Sequence, residues 1–421
     1  MVSVALLLLA ACALSYYLVF VRNTFPAGGV RSVAVLPFAN ETNNPDVEYL
    51  SDGISDSLIN RLSLLPGVKV IARSSSFVYK GKEAQSQEVA NNLGVEAIVT
   101  GRVTQYGENL LINVELVDGR DRTQIWGETY NRKAESLLSI QSEISQMILE
   151  KLRLRLNTAQ HKQFAKDRTV KPQAYELFLN GRFYDNKGGT ENRKKAIDYY
   201  LNAIAVDPAY ALAYAELSRS YNGLVNDNVL DPKAFLPKAE EAAIKAVELD
   251  DDLAEAHLAT AKVKQNGWDW AAAEQEFLRA IELNPNLAIA HVNYVYFLII
   301  QGRYDPAIAA AQRAKELDPL SRQVNEVIVY GLILQGQNDR ALEAVNKMVQ
   351  LDPLNAEVHT LLGQIYAAKG QYREALTAYQ QAIKLGDDSP DAQIYLGLAY
   401  RDVGEPEKTR SILHRLETRT E

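Results

Sequence analysis

The residues best suited to nucleophilic chemistry lie in two adjacent pairs, Ser51-Asp52 and Ser55-Asp56. A serine nucleophile needs a neighbouring base that takes its proton. Residues 31–133 contain no histidine for this role, and no Gly-x-Ser-x-Gly motif joins a strand to a helix there. We therefore interpret Ser51 or Asp52 as the N-cap of the helix that follows, and we predict that the chain is not an enzyme.

Three histidines, His257, His291 and His359, recur at intervals of 34 and twice 34 residues. Residues in register in a repeat array lie near one another, so these imidazoles are candidate metal ligands. Asn325 interrupts the series, however, and no carboxylate is spaced to complete a ligand set. The single cysteine also excludes an internal disulfide and a cysteine-rich metal site. We predict neither a metal site nor a cofactor.

The composition is that of a mildly acidic chain with several domains. Its 421 residues exceed what one hydrophobic core holds, and its 47% hydrophobic and 23% charged residues are ordinary for a globular protein. The formal net charge of −8 argues against nucleic acid as a partner. The acidity belongs to the second half, since from Ala174 onward there are 36 Asp+Glu and only 26 Lys+Arg.

The first residues have the pattern of a membrane anchor. The twenty residues from Val2 to Val21 carry no charge, and as a helix they would be about 30 Å long, enough to cross the hydrocarbon layer of a bilayer. Arg22 closes the run, and Pro26 breaks any helix beyond it. We predict a transmembrane anchor over residues 1–22.

Two other interpretations of this segment stay open, and both concern Cys12. The run Leu9-Ala10-Ala11-Cys12 is similar to a lipoprotein processing site, which would make Cys12 a lipidation site, although the residues after it remain apolar. Alternatively, Cys12 is a buried structural residue. A cleaved signal peptide fits less well, because no lysine or arginine precedes the apolar run.

Residues 31–133 alternate between strand-like and helix-like patterns. Apolar residues recur at helical spacing from Tyr49 to Leu65, and strand patterns occupy Ser32–Phe38, Val68–Ala72, Val95–Val103, Asn109–Val117 and Gln124–Tyr130. This predicts a small α/β domain over residues 31–133. Helical spacing returns from Leu137 to Leu152 and is followed by a lysine- and arginine-rich stretch. We predict an amphipathic helix and a basic linker over residues 134–173.

Residues 174–418 repeat with a period of 34 residues. The pairs Asn284-Pro285, Asp318-Pro319 and Asp352-Pro353 recur at this interval, and so do the glycines at 302, 336, 370 and 404. A small residue recurs in the same way at Ala273, Ala307, Ala341 and Ala375. Because independent series agree on one period, we predict seven stacked helical hairpins.

The first half resembles a known family. The runs SVAVLPFANETNNPDVEYLSDGISDSLINRL and LGVEAIVTGRVTQYGENLLINVELVDGRDRTQIWGETYNR are similar to the TolB amino-terminal-like domain of bacterial envelope and signalling proteins. The resemblance covers about 120 residues. It implies a mixed α/β module without catalytic activity, in a family that often places the module between a membrane span and helical repeats.

The second half resembles tetratricopeptide repeats, and the run LLGQIYAAKGQYREALTAYQQAIKLG carries the likeness most clearly. The resemblance implies an all-α superhelix whose concave groove binds a protein or peptide. By position in the repeat, the groove-lining residues would be Lys262, Tyr296, Tyr330 and Gln364; the two tyrosines could instead be packing residues. Gly363 and the recurring alanines at 273, 307, 341 and 375 would let the two helices of a hairpin approach closely.

Taken together, these patterns predict a multidomain protein: an N-terminal transmembrane helix, a small α/β domain, then an all-α tetratricopeptide superhelix. The domain order resembles the C-terminal halves of membrane-bound bacterial regulators. It implies a single-pass protein of the bacterial inner membrane with residues 22–421 outside the cytoplasm, acting as a protein-interaction scaffold or as the sensory or docking half of a regulator. The alternative is a C-terminal portion of a membrane-bound serine/threonine kinase, adenylate cyclase or winged-helix transcriptional regulator without its effector domain. We expect no small-molecule substrate.

Overall fold

The computed structural model describes residues 30–42, 44, 47–65, 67–82, 85–152, 170–227, 229–387 and 389–418. Cys12 and the predicted anchor over residues 1–22 lie outside the described residues. Within that part of the chain no helix is both long and apolar enough to cross a membrane; an 18-residue helix, Pro232–Leu249, carries three lysines and three glutamates. On this finding we correct the predictions of an N-terminal transmembrane helix and of a single-pass inner-membrane location.

The chain divides into two compact units, and the first takes its described residues from Met1–Val70 and Tyr79–Tyr175. One sheet runs through this unit in the order β3-β1-β4-β5-β6, with β2 paired to β4. Strands β3, β1 and β4 are parallel, whereas β4, β5 and β6 form an antiparallel meander. The strands are β1 Ser32–Val35, β2 Ala39–Asn40, β3 Lys69–Val70, β4 Ala97–Tyr106, β5 Asn109–Asp118 and β6 Gln124–Lys133.

The core of the first unit lies between this sheet and two long helices. The helices that interleave with the strands in sequence are α1 Glu48–Ser63, α2 Arg73–Ser76, α3 Ser86–Leu93 and α4 Leu137–Lys151. Ile54 and Leu58 of α1 and Ile144 of α4 are fully buried. The two helices also share polar contacts, since Ser57 Oγ donates to Gln141 Oε1 at 3.2 Å.

The second unit takes residues Ile71–Val78, which include α2, and the described residues from Glu176 onward. The described residues from Pro172 form fourteen helices, which pair as seven hairpins. They are α5 Pro172–Lys187, α6 Thr190–Val206, α7 Ala211–Asn226, α8 Pro232–Leu249, α9 Ala254–Asn266, α10 Trp270–Leu283, α11 Ala288–Ile300, α12 Tyr304–Leu317, α13 Arg322–Leu334, α14 Asn338–Leu351, α15 Ala356–Ala368, α16 Tyr372–Lys384, α17 Pro390–Asp402 and α18 Pro406–Thr418.

The turn inside a hairpin requires a left-handed backbone. The turn glycines at 302, 336, 370 and 404 all have positive φ, which glycine adopts without steric cost. Trp268 stands 34 residues before Gly302 and takes the same conformation, with φ of 64°. The glycine series therefore marks the turns, but it fails to mark this one because the backbone of Trp268 accepts a conformation that non-glycine residues rarely adopt.

Residues Ile71–Val78 pack within the second unit against the turn between α12 and α13. The Ala72 amide donates to the Leu317 carbonyl at 2.8 Å. Ser75 Oγ donates to Asp318 Oδ1 at 2.5 Å and accepts from the Leu320 amide at 2.8 Å. The strand predicted over Val68–Ala72 is therefore confirmed only for Lys69–Val70, because the backbone beyond it pairs with a helix end.

Candidate functional site

The four predicted groove residues fall on the first helices of four consecutive hairpins: Lys262 on α9, Tyr296 on α11, Tyr330 on α13 and Gln364 on α15. We call these four residues the groove row. All four are half-buried. A hydrogen bond joins the Tyr330 and Gln364 side chains, and Tyr330 is also close enough to Tyr296 to influence its pKa. The structure thus brings three members together, whereas the side chain of Lys262 donates to Gln265 Oε1 at 3.3 Å.

An acid and an arginine of α13 lie beside the two tyrosines of the groove row. Glu326 Oε1 accepts from Arg322 Nη1 at 2.5 Å, and Arg322 also pairs with Glu357 of α15. Burial raises the pKa of Glu326, and the Arg322 guanidinium opposes that shift. Burial raises the pKa of Tyr296 to about 12, with a further contribution from the negative charge of Glu326. The phenols of Tyr296 and Tyr330 therefore stay neutral at ordinary pH and can donate hydrogen bonds.

Exposed apolar side chains adjoin the two tyrosines. Ile300 follows Tyr296 by four residues and Leu334 follows Tyr330 by four, so each pair shares one helix face. Ile300 is 59% exposed and Leu334 is 48% exposed. An apolar stripe beside neutral phenols and a half-buried acid suits the backbone and side chains of an extended polypeptide.

The structure extends the row in the N-terminal direction, which sequence reasoning missed. Gly181 packs its backbone on Tyr200 as Gly363 packs on Tyr379, so Arg182 after Gly181 corresponds to Gln364 after Gly363. By the same register Arg219 follows Ser218, whose hydroxyl donates to the Ala239 carbonyl at 2.7 Å. The insertions in the first two hairpins break the 34-residue spacing, and this is why the correspondence was hidden.

The carboxylates of Glu216 on α7 and Asp185 on α5 hold these two arginines. Arg182 pairs with Glu216, and Arg219 Nε donates to the other oxygen of Glu216 at 2.6 Å. Arg219 also pairs with Asp185. Glu216 is 3% exposed, and although burial alone would raise its pKa, the two arginines lower it. The network links α5 to α7.

The predicted packing residues lie where the two helices of a hairpin touch. Ala273, Ala307, Ala341 and Ala375 are at most 1% exposed. A Cβ placed on Gly363 would lie 2.5 Å from the Tyr379 ring, so the close approach needs glycine there. In the last hairpin Thr409 replaces the alanine, and its hydroxyl donates to the Gly397 carbonyl at 2.8 Å. The packing function of Gly363 and of the four alanines remains a prediction that a stability measurement can test.

Each of the three histidines in register contacts the backbone of the turn that precedes its own helix. Each Nε2 lies within 3.0 Å of the carbonyl oxygen six residues earlier: Asp251 for His257, Pro285 for His291 and Pro353 for His359. The register is therefore explained by a repeated turn contact. A group of three acids, Asp250, Asp251 and Asp252, does come together within 4.8 Å, but these are half-buried or exposed side chains at the end of α8.

The Ser-Asp pairs lie inside a helix rather than before it. Helix α1 begins at Glu48, so Ser51 and Asp52 occupy its first turns and do not cap it. Ser51 Oγ donates to the Glu48 carbonyl at 3.0 Å, and Asp52 accepts from Lys80 Nζ at 2.6 Å. The N-cap interpretation is wrong, because the helix already includes Tyr49 and Leu50, where the helical spacing in the sequence begins.

Comparison with protein-family models confirms the tetratricopeptide repeats. Residues 258–322 match a tetratricopeptide repeat model and residues 363–404 match a second repeat model. Residues 29–147 match the model of the second domain of HilA/YgeH-like transcriptional regulators.

Two curated relatives match parts of the chain. "Putative adenylate cyclase 3" of Rhizobium meliloti (strain 1021) is 31% identical over 238 residues, which are 55% of this chain and 39% of that protein. The Tol-Pal system protein TolB of Alkalilimnicola ehrlichii is 30% identical over 128 residues, which are 30% of this chain and 28% of that protein. The chain thus spans well under half the length of either relative.

Solved structures are similar to part of the chain as well. A structure described as the functional characterisation of Pseudomonas aeruginosa pilF has 22% identity and a TM-score of 0.41, covering 50% of this chain and 92% of that one. A tetratricopeptide repeat protein of Parabacteroides merdae has 14% identity and a TM-score of 0.44, covering 58% of this chain and 93% of that one.

Proposed function

We propose that this chain is the sensory or docking part of a bacterial regulator, and that its repeats bind an extended segment of a partner polypeptide along the groove row. The observation that carries the proposal is the convergence of Tyr296, Tyr330 and Gln364 beside exposed Ile300 and Leu334. Half-buried neutral phenols offer hydrogen bonds to a peptide backbone, and the aliphatic side chains offer area that a ligand would remove from water.

Site-specific photo-crosslinking tests this proposal. A photoreactive phenylalanine analogue is placed at Tyr330 in the full chain, and at Tyr372 as the matched control. Tyr372 is also a partly exposed tyrosine, but it begins a second helix, α16. We expect a polypeptide to be captured at position 330 and not at position 372, with the captured segment identified by mass spectrometry.

The captured segment is then synthesised and titrated against purified full-length variants. We expect the Tyr296→Ala/Tyr330→Ala double variant to bind it at least about tenfold more weakly, since aromatic anchors carry most of an interface's affinity. Tyr372→Ala should bind as the wild type does. Equal capture at both positions, or equal affinity for all variants, would contradict the proposal.

A second candidate function is that the chain controls a nucleotide-cyclising effector. The similarity to "Putative adenylate cyclase 3" over 55% of this chain favours it. In a chimera, the whole of this chain replaces the matching 238 residues of that relative, and cyclic AMP is measured in cells with and without the double tyrosine change. We expect the tyrosine change to alter cyclic AMP output; an output that no groove substitution alters would exclude this function.

A further inference from the structure

Three cationic residues occupy the same repeat position on the first helices of the first three hairpins: Arg182, Arg219 and Lys262. The first two are paired, because Glu216 and Asp185 supply their carboxylates. Lys262 is different. Among the described residues it has no carboxylate within ion-pair distance, and its ammonium donates to a neutral amide, Gln265 Oε1, at 3.3 Å.

The positive charge of the half-buried Lys262 ammonium is therefore not balanced by a neighbouring carboxylate. Burial lowers the pKa of Lys262, which means that the surroundings disfavour its charge. The neighbouring Lys264, on the same helix, is paired with Glu240 at 3.3 Å. A carboxylate brought to Lys262 by a ligand would restore the pairing that the two preceding hairpins make internally.

The surroundings of Lys262 restrict what such a ligand can be. One turn further along α9, Asn266 donates to Asn222 Oδ1 at 2.8 Å, so the place is lined by neutral amides. Toward the C-terminus, Ala261 and Val295 share one hydrophobic core, and the residues after them are Lys262 and Tyr296. The next place along the row therefore offers the Tyr296 ring and exposed Ile300.

We propose that Lys262 receives an Asp or Glu side chain of an extended partner peptide, and that an apolar residue of the same peptide lies on Tyr296 and Ile300. Helices that pack directly lie about 8–10 Å apart, and an extended chain advances about 3.3 Å per residue. The acidic and apolar residues are thus about three positions apart. This inference rests on the proposed function, and it adds the chemical class of the ligand.

A random 12-residue peptide library displayed on phage tests the inference with the full-length chain as bait. Wild type should enrich peptides with an acidic residue about three positions from an apolar one. Lys262→Gln should lose the acidic preference, Lys262→Arg should keep it, and Lys262→Glu should select lysine or arginine at that position. Lys264→Gln is the matched control and should select as the wild type does.

One enriched peptide is then used in a double-mutant cycle. Replacing its acid by the corresponding amide should weaken binding to wild type about tenfold or more, and should have no further effect on Lys262→Gln. Peptides that depend on Tyr296 and Tyr330 but not on Lys262 would overturn this inference and leave the proposed function standing. If no peptide is enriched, or if the tyrosine double variant retains all binding, the proposed function fails together with the inference.

Discussion

At the scale of single residues, two histidines in the same register place should respond oppositely to pH. Burial alone would lower the pKa of His257, but the Glu276 carboxylate at 2.6 Å from Nδ1 outweighs it, so the pKa is raised. Burial lowers the pKa of His291, which meets no such carboxylate in the described part of the chain. His257 therefore binds its proton more tightly in the folded chain than in the unfolded chain, and His291 binds its proton less tightly.

We therefore expect His257 to stabilise the folded chain below its unfolded pKa of about 6.5, and to lose this contribution as the pH rises through its folded value. His291 should contribute more above about pH 6.5 and less as the pH falls. Thermal melting of His257→Asn and His291→Asn at about pH 6 and about pH 8 checks this, since asparagine occupies the same register place at Asn325. For each variant, the loss of melting temperature relative to wild type is compared between about pH 6 and about pH 8. If both variants lost more at the same pH, the assignment would be contradicted.

Gly363 gives a second residue-scale prediction. Its substitution by alanine places a Cβ 2.5 Å from the Tyr379 ring, which must then move. We expect a loss of about 1–3 kcal/mol of unfolding free energy. Gly331→Ala is the matched control: it lies within helix α13, its Cβ would meet Ile308 at 3.7 Å, and we expect it to be neutral or slightly stabilising. Chemical denaturation that ranks the two variants equally would show that the close approach is unimportant.

At the scale of elements, the sequence predicted what depends on local patterns. The strand over Asn109–Val117 and the helix over Leu137–Leu152 are confirmed, because alternation and helical spacing reflect which faces are buried. The register of Arg182 and Arg219 with the groove row was missed, since insertions shift it. The docking of Ser75 on Asp318 was also missed, because its partners are separated by 243 residues and no local pattern encodes such a contact.

That contact supports a prediction about the segment Ile71–Val78. Ser75→Ala removes the donor to Asp318 Oδ1 and the acceptor of the Leu320 amide, and we expect a loss of about 1–3 kcal/mol in stability. Ser76→Ala is the matched control. Ser76 is equally buried, but its hydroxyl has no hydrogen-bond partner among the described residues, so its removal should be neutral or stabilising. Equal stabilities in urea denaturation would show that the Ser75 contacts contribute nothing.

At the scale of the whole molecule, a stack of hairpins differs from a single core because each hairpin is stabilised chiefly by its neighbours. The groove row spans four hairpins, so its geometry depends on the interfaces between them. Part of the acidity of the second half lies in ion pairs, as at Glu216 and Glu326.

The last hairpin should therefore unfold by itself when its single anchor is removed. Ile412 is the one buried side chain of α18 among the described residues, and it packs with Leu396 and Tyr379. We expect Ile412→Ala to abolish hydrogen-exchange protection in α17 and α18 while leaving α9 to α12 unchanged, because terminal repeats are coupled only to the one before them. Leu413→Ala, which alters an exposed neighbour, is the control and should leave protection unchanged. If Ile412→Ala lowered protection in every hairpin alike, the array would be folding as one cooperative body, and binding along the groove row could not be separated from its overall stability.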